Sequence, residues 1–97
     1  MAETPEKKVK RQVIAALKAL GAYHFYPFSG GFGSSGVPDV VACCEGRFIG
    51  IECKAGKNKP TALQERNLAQ ITAAGGIALV INEDNVGDLD RLILTQI

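Results

Sequence analysis

Three charged side chains fall in a stretch that otherwise has the pattern of a buried β-hairpin. The apolar runs on either side of Glu45-Gly46 carry Asp39, Glu52 and Lys54. If Glu45-Gly46 is a two-residue turn, paired residues have numbers that sum to 91, and Asp39 lies opposite Glu52. Because side chains alternate along a strand, Lys54 then shares the face of Glu52. This register predicts two carboxylates and one ammonium group at one end of the hairpin.

Opposed carboxylates repel each other and destabilise a sheet, so this arrangement needs a compensating charge. Lys54 alone could supply it as an ion pair with a purely structural role. A hard divalent cation is the other explanation, since Mg²⁺ prefers carboxylate and carbonyl oxygens and keeps several waters. Such a cation polarises a phosphoryl group and lowers the pKa of its bound water. Lys54 would then orient that water or stabilise the charge that develops on the phosphate.

Two further polar residues have two explanations each. Glu6 lies three residues before Val9 on an apolar helical stripe. It either interacts with the helix dipole or reaches the hairpin site as a ligand or a water anchor. Gln64 follows Thr61 at the spacing of a capping box, and it either completes that box or directs its amide at the site.

The remaining pattern predicts elements that would position these groups. Helices are expected from Thr4-Pro5 to Gly21, from Thr61 to Gly75-Gly76 with Leu63, Leu68 and Ile71 inward, and after Asn85 as an N-cap; strands are expected at 22–28, 38–44, 47–54 and 77–81. Pro27 indicates either that the first strand lies at the edge of the sheet or that the strand ends there. The order is α-β-β-β-α-β-α, which predicts an α/β fold with a mixed sheet flanked by helices.

The composition favours one domain, residues 1–97, working in the cytoplasm. Hydrophobic residues make up 46% of the 97, which is typical of a globular domain. No apolar run approaches the length of a membrane helix, and the charged N-terminus lacks the apolar core of a signal peptide. The cysteines Cys43, Cys44 and Cys53 lack metal-binding spacing and are expected to be buried, reduced thiols.

The glycine-rich segment "GFGSSG", residues 31–36, formally matches a dinucleotide-binding fingerprint. That fingerprint requires a helix directly after it, whereas a proline and a strand follow here, so no nucleotide cofactor is expected. The segment is either a flexible connector or a loop that approaches a phosphate backbone through Ser34 and Ser35.

The charge is unevenly distributed, and the basic end suits a polyanion such as DNA. Residues 1–20 carry five basic and two acidic residues, a net charge of 5 − 2 = +3. A charged helix face is often only solvated, so composition does not decide the point. The candidate DNA contacts are Lys7, Lys10, Arg11, Lys57 and Lys59, together with the two loop serines.

The ordered set of motifs resembles a known family. Pro38-Asp39, followed thirteen residues later by "ECK" from Glu52, resembles the PD-(D/E)XK nuclease signature. Glu6 in a leading helix, the loop before "GVPDVVA", "GIECKAG" and "LQERNLAQITAAGGIALVI" with Gln64 together resemble a stand-alone VRR-NUC domain, over residues 4–82.

The resemblance implies a restriction-endonuclease-like core and DNA cleavage that depends on Mg²⁺ or Mn²⁺. It implies that Asp39, Glu52 and the backbone carbonyl of Cys53 bind the metal, that Lys54 is the catalytic lysine, and that Glu6 and Gln64 support the site. It also implies a similarity to archaeal Holliday junction resolvases, which act as homodimers, and many members of the family occur in bacteriophages. The last helix would then be available for a dimer interface.

These inferences favour a metal-dependent DNA endonuclease, dimeric and selective for branched DNA. One alternative is a DNA-binding module that keeps the fold without catalysis, although such a module has no need for opposed carboxylates. Another is a nuclease of the same chemistry that acts on flaps, nicks or ordinary duplex.

Overall fold

The computed structural model describes residues 2–28 and 36–97, and its elements follow the predicted order. The elements are α1 (Pro5–Ala19), β1 (Tyr23–Phe25), β2 (Val40–Cys44), β3 (Arg47–Cys53), α2 (Ala62–Ala73), β4 (Ile77–Ile81), a short 3₁₀ turn (Val86–Asp88) and α3 (Leu89–Leu94). The predicted α/β order is therefore confirmed.

The four strands form one mixed sheet in the order β1-β2-β3-β4. The first three strands are antiparallel, and β4 pairs with β3 in parallel. β1 lies at the edge, which is one of the two alternatives that Pro27 indicated. The β2–β3 ladder runs from Cys44↔Arg47 to Val40↔Ile51, so the predicted register is confirmed. Glu45 and Gly46 both have positive φ, at 50° and 81°, as a type I′ turn requires.

The main core lies between one face of the sheet and helices α1 and α3. Alternate residues of β2 and β3 point to this face, and they are joined by Ile77 and Ile81 of β4. The helices contribute an apolar stripe to this core: Val9, Val13 and Leu17 from α1, with Leu89 and Ile93 from α3. Thr4 caps α1 by accepting a hydrogen bond from the Lys7 N–H at 3.2 Å.

Helix α2 covers the opposite face of the sheet over β3 and β4 only. Ile71 lies over Gly50, where a Cβ atom would come within 2.5 Å of the Ile71 Cδ1 atom. The adjoining part of this face, on β1 and β2, is not covered by α2. Cys43 is therefore exposed, and the prediction of three buried thiols is wrong for this residue. The physical reason is alternation, because neighbouring Cys43 and Cys44 must point to opposite faces.

Two expectations about the helices are also wrong. Leu63 was expected to point inward, but it is 50% exposed, because it lies in the first turn of α2 beyond the sheet. Asn85 was expected to cap the last helix, but its side chain makes no cap. It instead accepts a hydrogen bond from the Asn82 N–H and donates one to the Val80 carbonyl. The chain therefore makes a 3₁₀ turn before α3 begins.

Across residues 2–28 and 36–97, no helix has the length and apolar character needed to cross a membrane.

Close contact between Gly36 and α2 fixes the segment that leads to Asp39. Gly36 has φ +84°, and a Cβ atom there would lie 2.7 Å from the Leu63 carbonyl carbon. Both the backbone angle and the space therefore require glycine. This contact anchors the chain three residues before Asp39 against the first turn of the helix that carries Gln64.

We expect Gly36→Ala to destabilise the protein by about 2 kcal/mol or more, through strain at positive φ and the clash with the Leu63 backbone. Gly21→Ala is the matched control, because Gly21 has φ +72° but nothing within 4 Å of the added Cβ. Urea unfolding of both variants separates the two effects. Equal losses of unfolding free energy would show that the close approach at Gly36 contributes nothing.

Candidate active site

Asp39 lies just beyond the last residue pair of the β2–β3 ladder. Its Oδ2 accepts a hydrogen bond from the Cys53 N–H at 2.8 Å, so a side chain replaces the main-chain acceptor where β2 pairing ends. Its Oδ1 lies 3.5 Å from Lys10 Nζ. These two contacts hold the carboxylate at the end of the hairpin, facing Glu52 as the register predicted.

Glu52 is the one buried charged residue in the described part of the chain, with 1% of its surface exposed. Its Oε1 accepts a hydrogen bond from Gln64 Nε2 at 2.9 Å and lies 3.7 Å from Lys54 Nζ. Its Oε2 is also buried, and no donor from residues 2–28 or 36–97 is aimed at it. A buried carboxylate oxygen without a donor is costly, so this atom indicates a missing partner.

The surroundings raise the pKa of Glu52 to about 8. Burial is the largest cause, because it disfavours the charged form. The neighbouring Asp39 carboxyl raises the pKa of Glu52 further, while the charge of Lys54 lowers it and the charge of Glu6 raises it. Without a cation, these surroundings therefore keep the Glu52 carboxyl protonated at neutral pH.

Lys54 follows Glu52 by two residues and lies on the same face, as predicted, with only 14% of its side chain exposed. The Lys54 N–H points the other way and donates to the Ile81 carbonyl of β4. Between them, the Cys53 side chain points into the core, and burial raises the pKa of its thiol to about 12. The thiol thus stays protonated, and only the backbone of Cys53 is available to the site.

Gln64 does both of the things that its sequence position allowed. Its Oε1 accepts a hydrogen bond from the Thr61 N–H, and its own N–H donates to Thr61 Oγ1, which is a complete capping box. The amide Nε2 is then left to donate to Glu52 Oε1. The cap therefore sets the orientation of the amide. Gln64 completes the capping box and directs its amide at the site at the same time.

Glu6 stands at the margin of this group. It is partly buried in the first turn of α1, and its charge raises the pKa of Glu52, so it acts on the site electrostatically. Among the described residues, no group of three or more His, Cys, Asp or Glu side chains is arranged to hold a metal ion. The role of Glu6 as a ligand or a water anchor therefore stays a prediction.

The donor set fits a divalent cation of the Mg²⁺ type. Two carboxylates lie together, and one buried oxygen, Glu52 Oε2, accepts no hydrogen bond from the described residues. The Cys53 N–H points to Asp39, and its carbonyl shares that edge of the extended strand. Mg²⁺ binds through one or two carboxylates and keeps waters for its other positions, so a full protein cage is not required.

The family follows from a comparison with known sequences. The family model for the archaeal Holliday junction resolvase (Hjc) matches residues 4–81. The chain belongs to the archaeal Holliday junction resolvase family. A protein of Acyrthosiphon pisum secondary endosymbiont phage 1, named "Putative nuclease p44", is 31% identical over 87 residues, covering 87% of this chain and 89% of that protein. Family and relative together support nuclease function.

A solved structure described as a VRR_NUC domain has the same fold as this resolvase-family chain. It aligns with a TM-score of 0.75 and 23% identity, over 95% of this chain and 97% of its own. Together with the family model and the phage relative, this shared fold supports a VRR-NUC nuclease-like domain, and the expected restriction-endonuclease-like core is confirmed.

The candidate DNA contacts of this resolvase-family chain lie in different surroundings. Lys7 is exposed on α1, Arg11 is exposed but paired with Glu3 at 3.0 Å, and Lys57 and Lys59 are exposed in the loop after β3. Ser34 and Ser35 lie outside the described residues.

Lys10 is the residue whose position the sequence analysis missed. It was assigned to the DNA surface, but its ammonium lies at Asp39. Its spacing of four residues from Glu6, on the helix side that faces the hairpin, is the signal that could have placed it at the site.

We expect the metal-free protein to lose stability between about pH 5 and pH 8, because folded Glu52 keeps a proton that the unfolded chain releases near its ordinary pKa of 4.5. Glu52→Gln should remove this slope and stabilise the metal-free protein at pH 8 by on the order of 2 kcal/mol. Urea unfolding in EDTA at several pH values provides the measurement.

The control is Glu65→Gln, which replaces an exposed carboxylate on the same helix as Gln64. This variant should keep the wild-type dependence of stability on pH. Parallel stability curves for wild type and Glu52→Gln would show that Glu52 titrates normally.

Proposed function

We propose that this chain is a divalent-metal-dependent DNA endonuclease that prefers branched DNA. The observation that carries the proposal is the pairing of Asp39 with a buried Glu52 carboxyl whose Oε2 lacks a donor among the described residues, with Lys54 beside it. Membership of a resolvase family supports DNA as the substrate. Cytoplasmic action, in the host if the chain is phage-encoded, belongs to the same proposal and is supported by the phage relative.

Asp39, Glu52 and the Cys53 backbone carbonyl would hold Mg²⁺ or Mn²⁺. Once bound, such a cation supplies charge that polarises the phosphoryl group and lowers the pKa of a water. The Cys53 N–H holds Asp39 in place by donating a hydrogen bond to its Oδ2. The Gln64 amide holds Glu52 by donating to its Oε1. These two supports leave Glu52 Oε2 as the oxygen directed into the site.

Lys54 is proposed as the catalytic lysine. Its ammonium is largely enclosed and lies close to the carboxyl pair, where it can stabilise negative charge on the phosphate or orient a water. Glu6 acts through its charge and, in this proposal, anchors a water rather than binding the metal directly. Exposed Lys7, Lys57 and Lys59 are the candidate phosphate contacts in this proposal.

A homodimer completes the proposal, because resolving a four-way junction requires two cuts and one chain offers one Asp39–Glu52 site. A two-fold axis is the common way to double a site. Two apolar surfaces are available for it. One is the face of β1 to β3 with Tyr23, Phe25 and Phe48, and the other is the outer side of α3 with Leu94.

We expect cleavage with Mg²⁺ or Mn²⁺ and none in excess EDTA. Asp39→Asn and Glu52→Gln should both reduce cleavage to background, because each removes a negative ligand while keeping the shape of the side chain. The assay uses labelled linear, flap, splayed and four-way junction DNA, with circular dichroism to confirm folding. Glu65→Gln, on the exposed side of α2, is the control that should keep wild-type rates.

Full activity in EDTA would exclude metal-dependent cleavage. Folded protein that binds DNA but cleaves no substrate with either cation would favour a non-catalytic DNA-binding module. Equal cleavage of linear and branched DNA would retain the nuclease but remove the preference for junctions.

Lys54→Ala is expected to lower the cleavage rate by about 10²-fold or more while metal binding persists, because an ammonium near the developing charge is lost. Lys54→Arg should also be slow, since a planar guanidinium replaces a compact ammonium. Single-turnover rates at saturating Mn²⁺ give the comparison. Near-normal rates in both variants would assign Lys54 to a structural ion pair with Glu52.

Light scattering at micromolar concentration should give the mass of two chains, and the two cuts in a junction should lie at symmetrical positions. Tyr23→Ser and Leu94→Gln, both at exposed positions, test which surface joins the copies. The variant at the interface should become monomeric and lose paired cutting. A monomeric wild type that nicks linear and branched DNA equally would remove the resolvase interpretation.

A further inference from the structure

The two carboxylates of the site differ in what their oxygens contact. Both oxygens of Asp39 are engaged, since Oδ2 accepts the Cys53 N–H at 2.8 Å and Oδ1 lies 3.5 Å from Lys10 Nζ. Glu52 Oε2, in contrast, accepts no hydrogen bond from the residues that the structure describes. A divalent cation held by the two carboxylates would therefore meet one Glu52 oxygen that accepts no hydrogen bond from the described residues, and an Asp39 oxygen that is paired with an ammonium.

An ammonium and a divalent cation cannot both lie at Asp39 Oδ1, because like charges at contact distance repel strongly in a partly buried site. The Cys53 N–H contact is a main-chain hydrogen bond at the end of a strand, so it is fixed by the fold. The Lys10 contact is the one that can give way. If Asp39 is to hold a divalent cation through Oδ1, Lys10 would have to leave that oxygen.

The Lys10 side chain can move away from Asp39 without disturbing the fold. Its ammonium ends a long flexible stem, the side chain is 31% exposed, and the 3.5 Å separation makes it an ion pair longer than an ordinary hydrogen bond. Lys54, the other cation of the site, is only 14% exposed. Lys10 lies on α1 one turn after Glu6 and three residues after exposed Lys7, a candidate phosphate contact.

We propose that Lys10 is a displaceable counter-ion, which neutralises Asp39 in the metal-free site, leaves Oδ1 when a divalent cation binds, and then pairs with a phosphate of the DNA backbone. Metal loading and DNA binding are thereby coupled through one side chain. This inference rests on the proposed function, and Lys10 acts in it as a positioning residue for Asp39 and as a phosphate contact.

The first test measures Mn²⁺ affinity by electron paramagnetic resonance without DNA. Lys10→Met keeps the apolar stem and removes the charge, so it should bind Mn²⁺ about tenfold more tightly than wild type. Lys18→Met, at an exposed position in the last turn of α1, is the matched control and should stay within about twofold of wild type. Lys10→Gln provides a second variant with a polar end, and circular dichroism confirms folding.

The second test measures DNA affinity by fluorescence anisotropy over a range of NaCl, in EDTA and in Ca²⁺, with intact DNA verified on a denaturing gel. Each phosphate contact adds about 0.9 to the slope of log affinity against log salt. Adding Ca²⁺ should therefore increase the slope by about one contact more in wild type than in Lys10→Met. Lys18→Met should respond to Ca²⁺ as wild type does.

The outcomes separate this inference from the function on which it rests. If Mn²⁺ binds wild type, Lys10→Met and Lys18→Met equally, the counter-ion role is wrong and the metal site remains. If Lys10→Met binds Mn²⁺ more tightly but the slopes change identically, the coupling to DNA is wrong. If Mn²⁺ binds none of the proteins, the metal-dependent function fails together with the inference.

Discussion

Repulsion between Asp39 and Glu52 is the constraint around which the site is organised. A buried carboxyl beside a second carboxyl is unfavourable, as the raised pKa of Glu52 shows. The fold offsets the repulsion with four groups from three segments. The end of β3 provides the Cys53 N–H and the Lys54 ammonium, α2 provides the Gln64 amide, and α1 provides the Lys10 ammonium. One carboxylate oxygen nevertheless accepts no hydrogen bond from the described residues.

The end of the β2–β3 ladder is where this arrangement can be built. While two strands pair, each backbone group has a partner and the side chains only line the two faces. Where β2 pairing stops, a backbone N–H of β3 becomes available, and the Asp39 side chain accepts its hydrogen bond. The metal-binding candidates are thus positioned by rigid strands, which hold side chains more exactly than loops do.

Helix α2 shows how a local motif supports the site. The capping box is a local structure that stabilises the start of the helix. When glutamine completes the box through its side-chain oxygen, its amide NH₂ group takes no part in the cap and can donate elsewhere. Because Gly36 and Gly50 allow the helix and its neighbours to approach closely, that group reaches Glu52. A glutamate at position 64 would complete the same cap yet place a third negative charge beside the pair. Glutamine therefore serves both the cap and the site.

Local patterns in the sequence were enough to predict much of this protein. The hairpin register follows from a two-residue turn and from strict alternation, so the placement of Asp39, Glu52 and Lys54 on one face could be worked out residue by residue. The start of α1 at Thr4 and the start of α2 at Thr61 follow from side chains that bond to backbone groups three residues away.

The tertiary structure alone decided which long side chains meet across elements. Lys10 and Asp39 are far apart in sequence, but they form an ion pair. The sequence pattern of a basic residue on a helix is the same whether its side chain faces solvent or a carboxylate. How far α2 extends over the sheet decides that Cys43 and Leu63 are exposed. Where the chain turns before α3 decides that Asn85 bonds to the Asn82 backbone instead of capping the helix. The periodicity of apolar residues shows which side of one helix or strand is buried. These contacts depend instead on the distances between elements, which are set by their packing.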